Sequence, residues 1–210
     1  MKNKFLKYFV ISFAWLMLCS SAVFAASQGP VDLLQSLANR MISELKSHKA
    51  TLRSNPSLVY SIANRIIVPH ADLDAMSQRV LPAKTWEAAT PEQRRKFERE
   101  FTTVLERTYA SALAEYTDET VKFFPLRSGA EGKSYVTVNS QIVRTDGPSI
   151  AVNYTLVLRG SQWRLLDITV EGVSMLESFR SQFSDSLSRG DINNLIDEIS
   201  NHNSNHDGHH

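Results

Sequence analysis

Near residue 120 the spacing of apolar side chains changes from three and four residues to two, and that single change restricts the folds open to this chain. Before it, Leu33, Leu34, Leu37, Met41 and Leu45 recur on one face of a helix. Asn55-Pro56 pairs a capping residue with a proline suited to a first helical turn, and Leu58, Val59, Ile62 and Ile66 then share a face until Pro69 stops the segment. A short helix follows, with Asp72 or Asp74 near its start and Met76 and Val80 turned inward. Thr90-Pro91-Glu92-Gln93 reads as a capping box opening a long helix, along which Phe97, Phe101, Val104, Leu105, Thr108, Ala112, Leu113 and Tyr116 form a stripe. After Glu119 the pattern alternates. Val121 to Leu126 is a first strand; Val136, Val138 and Ile142 mark a second; Ile150, Val152, Tyr154, Leu156 and Leu158 mark the third. Trp163 to Val170 is the fourth, with Leu166, Ile168 and Val170 expected on one face. Asp146-Gly147 and Gly160-Ser161 supply turns, so the strands are antiparallel, and one apolar face per strand predicts cover on one side. Helices first and strands second argue for an α+β fold: helices on one face of an antiparallel sheet of about four strands. Two short helices, Ser174 to Leu187 and Asp191 to Ile199, complete it.

Export is written into the first residues. Lys2, Lys4 and Lys7 precede the apolar run Tyr8 to Val23, and Val23-Phe24-Ala25 offers a small-residue cleavage site, so residues 1–25 are expected to be a signal peptide. The run is short for a membrane span, and polar chain follows at once. Cleavage leaves 185 of 210 residues and removes Cys19, the one cysteine, so stability must come from burial rather than disulfides. Without Lys2, Lys4 and Lys7 the 23 basic side chains become 20 against 22 acidic ones, a balance that argues against nucleic-acid binding. The single domain is expected over residues 26–199. The His-rich segment 200–210 contains no apolar residue and is expected to be disordered.

Catalytic and metal motifs are weak. Gly172-Val173-Ser174-Met175 sits between a strand and a helix, where a hydrolase would place its nucleophile, but position 176 is Leu176 where that motif needs glycine. Ser174 with Glu177 three residues later reads better as a helix cap. His70, Asp72 and Asp74 lack the spacing of a zinc pair or a calcium loop, and the aspartates are explained by capping. His202, His206, His209 and His210 have the chemistry for weak, peripheral zinc or copper binding. Asn153-Tyr154-Thr155 matches a glycosylation sequon inside a strand, where it carries no meaning. No catalytic residue and no metal ligand is assigned. What stands out is apolar surface with nothing titratable converging on it, and periodicity alone does not separate a filled core from a hollow one.

An ordered set of residues goes further. Trp163, Asp167, Glu171-Gly172-Val173-Ser174-Met175, Phe97, Phe101, Thr108-Tyr109-Ala110 and Leu113, with Asn55-Pro56, Pro69 and Ala89-Thr90-Pro91-Glu92-Gln93-Arg94, closely resemble the MlaC family of periplasmic phospholipid-binding shuttles, also called the toluene-tolerance family. The likeness runs from about Val31 to Ile199. It implies a twisted sheet with a deep apolar pocket between the layers, phospholipid as cargo and no cofactor. It also implies a monomer in the periplasm, working between an outer-membrane lipoprotein-porin complex and an inner-membrane ABC-type lipid transporter that carries a lipid-binding ring. Each methylene exposed to water costs about 0.8 kcal/mol, so one chain of about 16 carbons costs roughly 12 kcal/mol, and a carrier must hide both chains. The phosphate is already hydrated and can stay in solvent. On this resemblance the walls are Val136, Val138, Ile150, Val152, Tyr154, Leu156, Leu166, Ile168 and Val170 from the sheet and Phe97, Phe101, Leu105 and Leu113 from the helix, with Val173 and Met175 at the rim. The alternative function is a periplasmic adaptor that binds protein partners through an apolar groove; a hydrolase using Ser174 stands third.

Overall fold

The computed structural model describes residues 28–52, 54–114 and 118–207, so the expected signal peptide, residues 1–25, lies outside the described residues. Helix α1 spans Pro30–Ser47, with Asp32 in its first turn and Lys46 in its last, each opposing the local end of the helix dipole. Helix α2 spans Pro56–Ile66, and the Asn55 side chain accepts the Leu58 N–H at 3.3 Å, as the Asn-Pro pair predicts. A 3-10 turn, Val68–His70, leads to α3, Leu73–Val80, where Asp72 accepts the Ala75 N–H at 3.2 Å. After α4, Ala83–Ala88, helix α5 runs from Pro91 to Ala114. Its start is the reciprocal box: the Gln93 N–H donates to Thr90 Oγ1 at 3.2 Å and the Thr90 N–H donates to Gln93 Oε1 at 2.8 Å.

Five strands follow: β1 Thr120–Phe123, β2 Tyr135–Val143, β3 Ile150–Arg159, β4 Gln162–Val170 and the two-residue β5 Val173–Ser174. They pair antiparallel in the order β1-β2-β3-β4-β5. Between Thr155 and Leu156 the β3–β4 register slips by one residue: Leu156 faces Leu165 and Thr155 faces Asp167. Leu166 is left as the extra residue of a bulge. The expectation that Leu166, Ile168 and Val170 share a face is corrected here, because a bulge shifts the alternation that the reading assumed.

Helices α6, Met175–Arg189, and α7, Ile192–Asp207, close the domain. The structure corrects the expected tail at its start, since α7 continues to Asp207 instead of ending near Ile199. The amide of buried Asn203 donates to the Glu100 carbonyl at 3.1 Å and carboxylate at 2.9 Å, and Arg107 donates to the Asn203 carbonyl. Polar composition suggested solvation, but docking onto α5 pairs the Asn203 amide N–H groups and carbonyl directly, while its Oδ1 is buried without a partner among the described residues.

Burial divides into two cores. In the first, Leu33, Leu37, Met41 and Leu45 of α1 and Val59, Ile62 and Ile66 of α2 pack on Val136, Val138, Leu156 and Trp163 of the sheet. The second is a helical core of α3 to α7 that takes in Val157 and Leu166 from the sheet. Four phenylalanines anchor it: the Phe101 ring lies 5.8 Å from Phe97, 5.4 Å from Phe179 and 5.7 Å from Phe183. Helix α5 joins both cores, with Phe97 and Phe101 in the second and Leu113 and Ala114 against the first.

Candidate functional site

Antiparallel register places directly opposed residues on the same side of a sheet. Val136 opposes Leu156, Val138 opposes Tyr154, which opposes Ile168, and Val152 opposes Val170, which opposes Val173. Ile142 opposes Ile150 and extends the same face. The result is one continuous apolar surface across β2 to β5. It is closed at one end and open at the other. Under α1 and α2, Val138 and Leu156 are fully buried and Val136 nearly so, whereas Val170 is 40% and Val173 64% exposed. Ile150 is half-buried between these extremes, and Val152 is buried at 3% without joining either core.

The wall residues read from the sequence are therefore partly brought together. Val136, Val138, Ile150, Val152, Tyr154, Leu156, Val170 and Val173 share the sheet face, and Leu113 packs at its covered end. Phe97, Phe101, Leu105, Leu166 and Met175 lie in the helical core, and Ile168, although opposite Tyr154, packs toward that core as well. The layer over the sheet comes from α1 and α2, which the sequence reading did not assign to the site. Their stripes were visible in the periodicity; which surface they cover is a tertiary choice that periodicity does not carry.

Two polar groups interrupt the face. The buried Ser140 hydroxyl donates to the Val152 carbonyl at 2.8 Å, and Ser140 also hydrogen-bonds the Tyr154 side chain. Burial pushes the Tyr154 phenol above its ordinary range, with the Ser140 contact opposing that shift, so the hydroxyl stays neutral. The Tyr154 ring lies 5.7 Å from Phe123.

Nothing here assembles a nucleophile. Ser174 Oγ donates to Asp167 at 2.6 Å and accepts the Glu177 N–H at 3.1 Å, which makes it a helix cap, and the Asp167 carboxylate that holds it also accepts the Ile168 and Leu176 N–H groups. Asp72 caps α3 and pairs with Arg159. Among the described residues no cluster of three histidine, cysteine, aspartate or glutamate side chains could hold a metal ion, and no helix is long and apolar enough to cross a membrane.

The fold and face define a class first: an α+β domain whose distinctive surface is an apolar sheet face covered at one end by two helices. Comparison with known proteins narrows the class. The MlaC protein family model matches residues 35–201. Toluene tolerance protein ttg2D of Pseudomonas putida is 32% identical over 174 residues, 82% of this chain and 80% of that protein. The intermembrane phospholipid transport system binding protein MlaC of Haemophilus influenzae is 23% identical over 177 residues, 83% of this chain and 82% of that protein. A solved phospholipid-binding protein from Ralstonia solanacearum, in complex with a phospholipid, superposes with a TM-score of 0.76 at 27% identity, covering 86% of this chain and 98% of that one. The chain belongs to the MlaC family.

Proposed function

We propose that this protein is a soluble periplasmic carrier that binds the acyl chains of a phospholipid on the β2–β5 face and shuttles the lipid between membrane complexes. In this reading it maintains outer-membrane lipid asymmetry, works as a monomer, and docks in turn with an outer-membrane lipoprotein-porin complex and an inner-membrane ABC-type transporter with a lipid-binding ring. The observation that carries the proposal is the continuous apolar face, closed beneath α1 and α2 and open at Val170 and Val173. The Ralstonia solanacearum relative, which binds a phospholipid on a matching fold, supports it.

Acyl chains need apolar walls and exclusion of water, not hydrogen-bond donors, so a site without titratable chemistry suits this cargo. Side chains of α1 and α2 occupy the space above Val138 and Leu156. Loading therefore moves these helices off the sheet, with lipid methylenes replacing leucine and isoleucine side chains at little net cost in apolar burial. Transfer needs no hydrolysis and no cofactor.

The test is chemical. Protein purified from cells, denatured and extracted with organic solvent, is expected to release phospholipid detectable by mass spectrometry at a fixed ratio to protein. A preparation consistently free of lipid that also takes none up from phospholipid vesicles would falsify the carrier reading and leave the adaptor.

A further inference from the structure

Helix α7 reaches Asp207, so its last turns carry both His202 and His206, and a spacing of four residues sets the two on one side of the helix. Their backbone positions lie about 6 Å apart along the axis and about 40° apart around it. At that spacing two imidazoles on a helix close on one cation, as in helical zinc motifs. A disordered segment would hold the same histidines at no fixed distance. The helix removes that freedom before any metal arrives.

The buried stripe of α7 runs through Leu195, Ile196, Ile199 and Asn203. His202 stands beside that stripe and is exposed, so a hydrated cation reaches it. Asn203 lies between the two histidines in sequence and anchors their turn to α5. Its amide donates to the Glu100 carbonyl at 3.1 Å and carboxylate at 2.9 Å, and its own carbonyl accepts from Arg107. That leaves Asn203 Oδ1, buried and without a partner among the described residues. A histidine that gives one ring nitrogen to a metal carries its remaining proton on the other and needs an acceptor for it. An unused amide oxygen in the same turn has that chemistry. The pair is also this chain's own feature, because the MlaC family model ends at residue 201, one position before His202. Imidazole nitrogen selects zinc or copper(II) over magnesium and calcium, which take oxygen ligands. Among the described residues no third histidine, cysteine or carboxylate joins the pair, so water fills the remaining positions on the ion.

We infer that His202 and His206 form a site for one divalent transition-metal ion, zinc or copper(II), which ties together the last turn of α7 while Asn203 Oδ1 accepts the second ring proton of one of the histidines. A metal across this pair holds the turn helical and so reinforces the docking of Asn203 on α5. The site is independent of the carrier reading, since α7 packs in the helical core and not on the β2–β5 face.

The test is isothermal titration calorimetry of the protein, produced with no added histidine tag, against zinc chloride, copper chloride and magnesium chloride. One zinc or copper ion per chain is expected to bind, and magnesium is expected to give no heat. His202→Ala and His206→Ala are each expected to weaken binding about tenfold or more, because one exposed imidazole does not chelate. His48→Ala, in the turn after α1, is expected to change nothing. Absence of binding by wild-type protein overturns the site. Binding that persists in His202→Ala and disappears when His209 and His210 are both replaced by alanine assigns the ion to the end of the chain, and also overturns it. A second arm measures amide hydrogen exchange from Ile199 to Asp207. Exchange is expected to slow several-fold with zinc bound, and unchanged exchange at saturating zinc removes the cross-link across the turn.

Discussion

Asp167 accepts three hydrogen bonds at the corner where β4 gives way to α6: from Ser174 Oγ at 2.6 Å, from the Ile168 N–H at 2.8 Å and from the Leu176 N–H at 3.2 Å. Two of these reach across the β4–β5 turn, in which Glu171 (φ 48°) and Gly172 (φ 85°) are both left-handed. Asp167→Ala is expected to cost about 2–3 kcal/mol, because the donors it serves include backbone groups at a helix start. Ser174→Ala removes only the cap, at about 1 kcal/mol, and is expected to leave lipid content unchanged. Urea denaturation and lipid extraction of both variants check the ranking; loss of bound lipid in a folded Ser174→Ala protein would restore a functional role for that hydroxyl. His70 adds a pH dependence. Burial first, then the charges of Arg164 and Arg40, hold its pKa below the ordinary 6.5. The unfolded chain thus takes up a proton at a pH where the folded protein does not, so this residue's contribution is intact above about pH 6.5 and is lost as pH falls through the window below it. The urea midpoint of His70→Gln is expected to fall less than that of wild type between about pH 7 and pH 5. Identical acid limbs in the two proteins would contradict this.

The two cores make different demands on their elements. The phenylalanines of α5 and α6 pack on one another, away from the sheet face, so Phe101→Leu is expected to lower stability by about 1–2 kcal/mol without altering the amount of lipid bound per protein. Val152→Glu should do the reverse. Val152 lies between the closed and open ends of the face and belongs to neither core, and its cross-strand partner Val170 is 40% exposed. A glutamate there can reach water while presenting a charge to acyl chains, and phospholipid content is expected to drop about tenfold or more in a folded protein, with Val152→Ala retaining it. Circular dichroism and lipid extraction read both effects, and a Val152→Glu protein that keeps its lipid would remove the sheet face from the site. Helix starts were legible in the sequence because caps are local: Asn55, Asp72, Thr90 and Ser174 each bond a backbone N–H three residues on. Strands were legible because alternation is local too. The assignment of Phe97 and Phe101 opposite the sheet was not, since an apolar stripe states that a surface is buried and not what buries it. Leu166 was misplaced for a related reason, as a bulge leaves no mark in an unbroken apolar run. The end of α7 was hidden because Asn203 docks through contacts about a hundred residues away in sequence, with Glu100.

At the scale of the molecule, α1 and α2 form a lid layer on the sheet, and α5 links that layer's core to the helical core. The helical core holds α3, α4, α6 and α7 together without involving β2. In the proposed carrier reading it supplies a frame that stays folded while α1 and α2 part from the sheet, and lipid enters a site that these helices fill with their own side chains. The affinity observed is already net of the cost of parting those layers, so bound lipid stabilises the fold by the ordinary linkage relation, about 2.7 kcal/mol when free lipid is at a hundred times its dissociation constant. For a domain of this size each kcal/mol moves the midpoint by about 2–4 °C, and the loaded protein is expected to melt about 5–10 °C above the stripped one. The same comparison in Val152→Glu is expected to show almost no difference, because that variant folds without taking cargo. Scanning calorimetry of the four samples separates two mechanisms: a rise confined to loaded wild-type protein places the lipid inside the fold, whereas superposable melts for loaded and stripped wild type would mean that lipid associates with the outside and that α1 and α2 never leave the sheet.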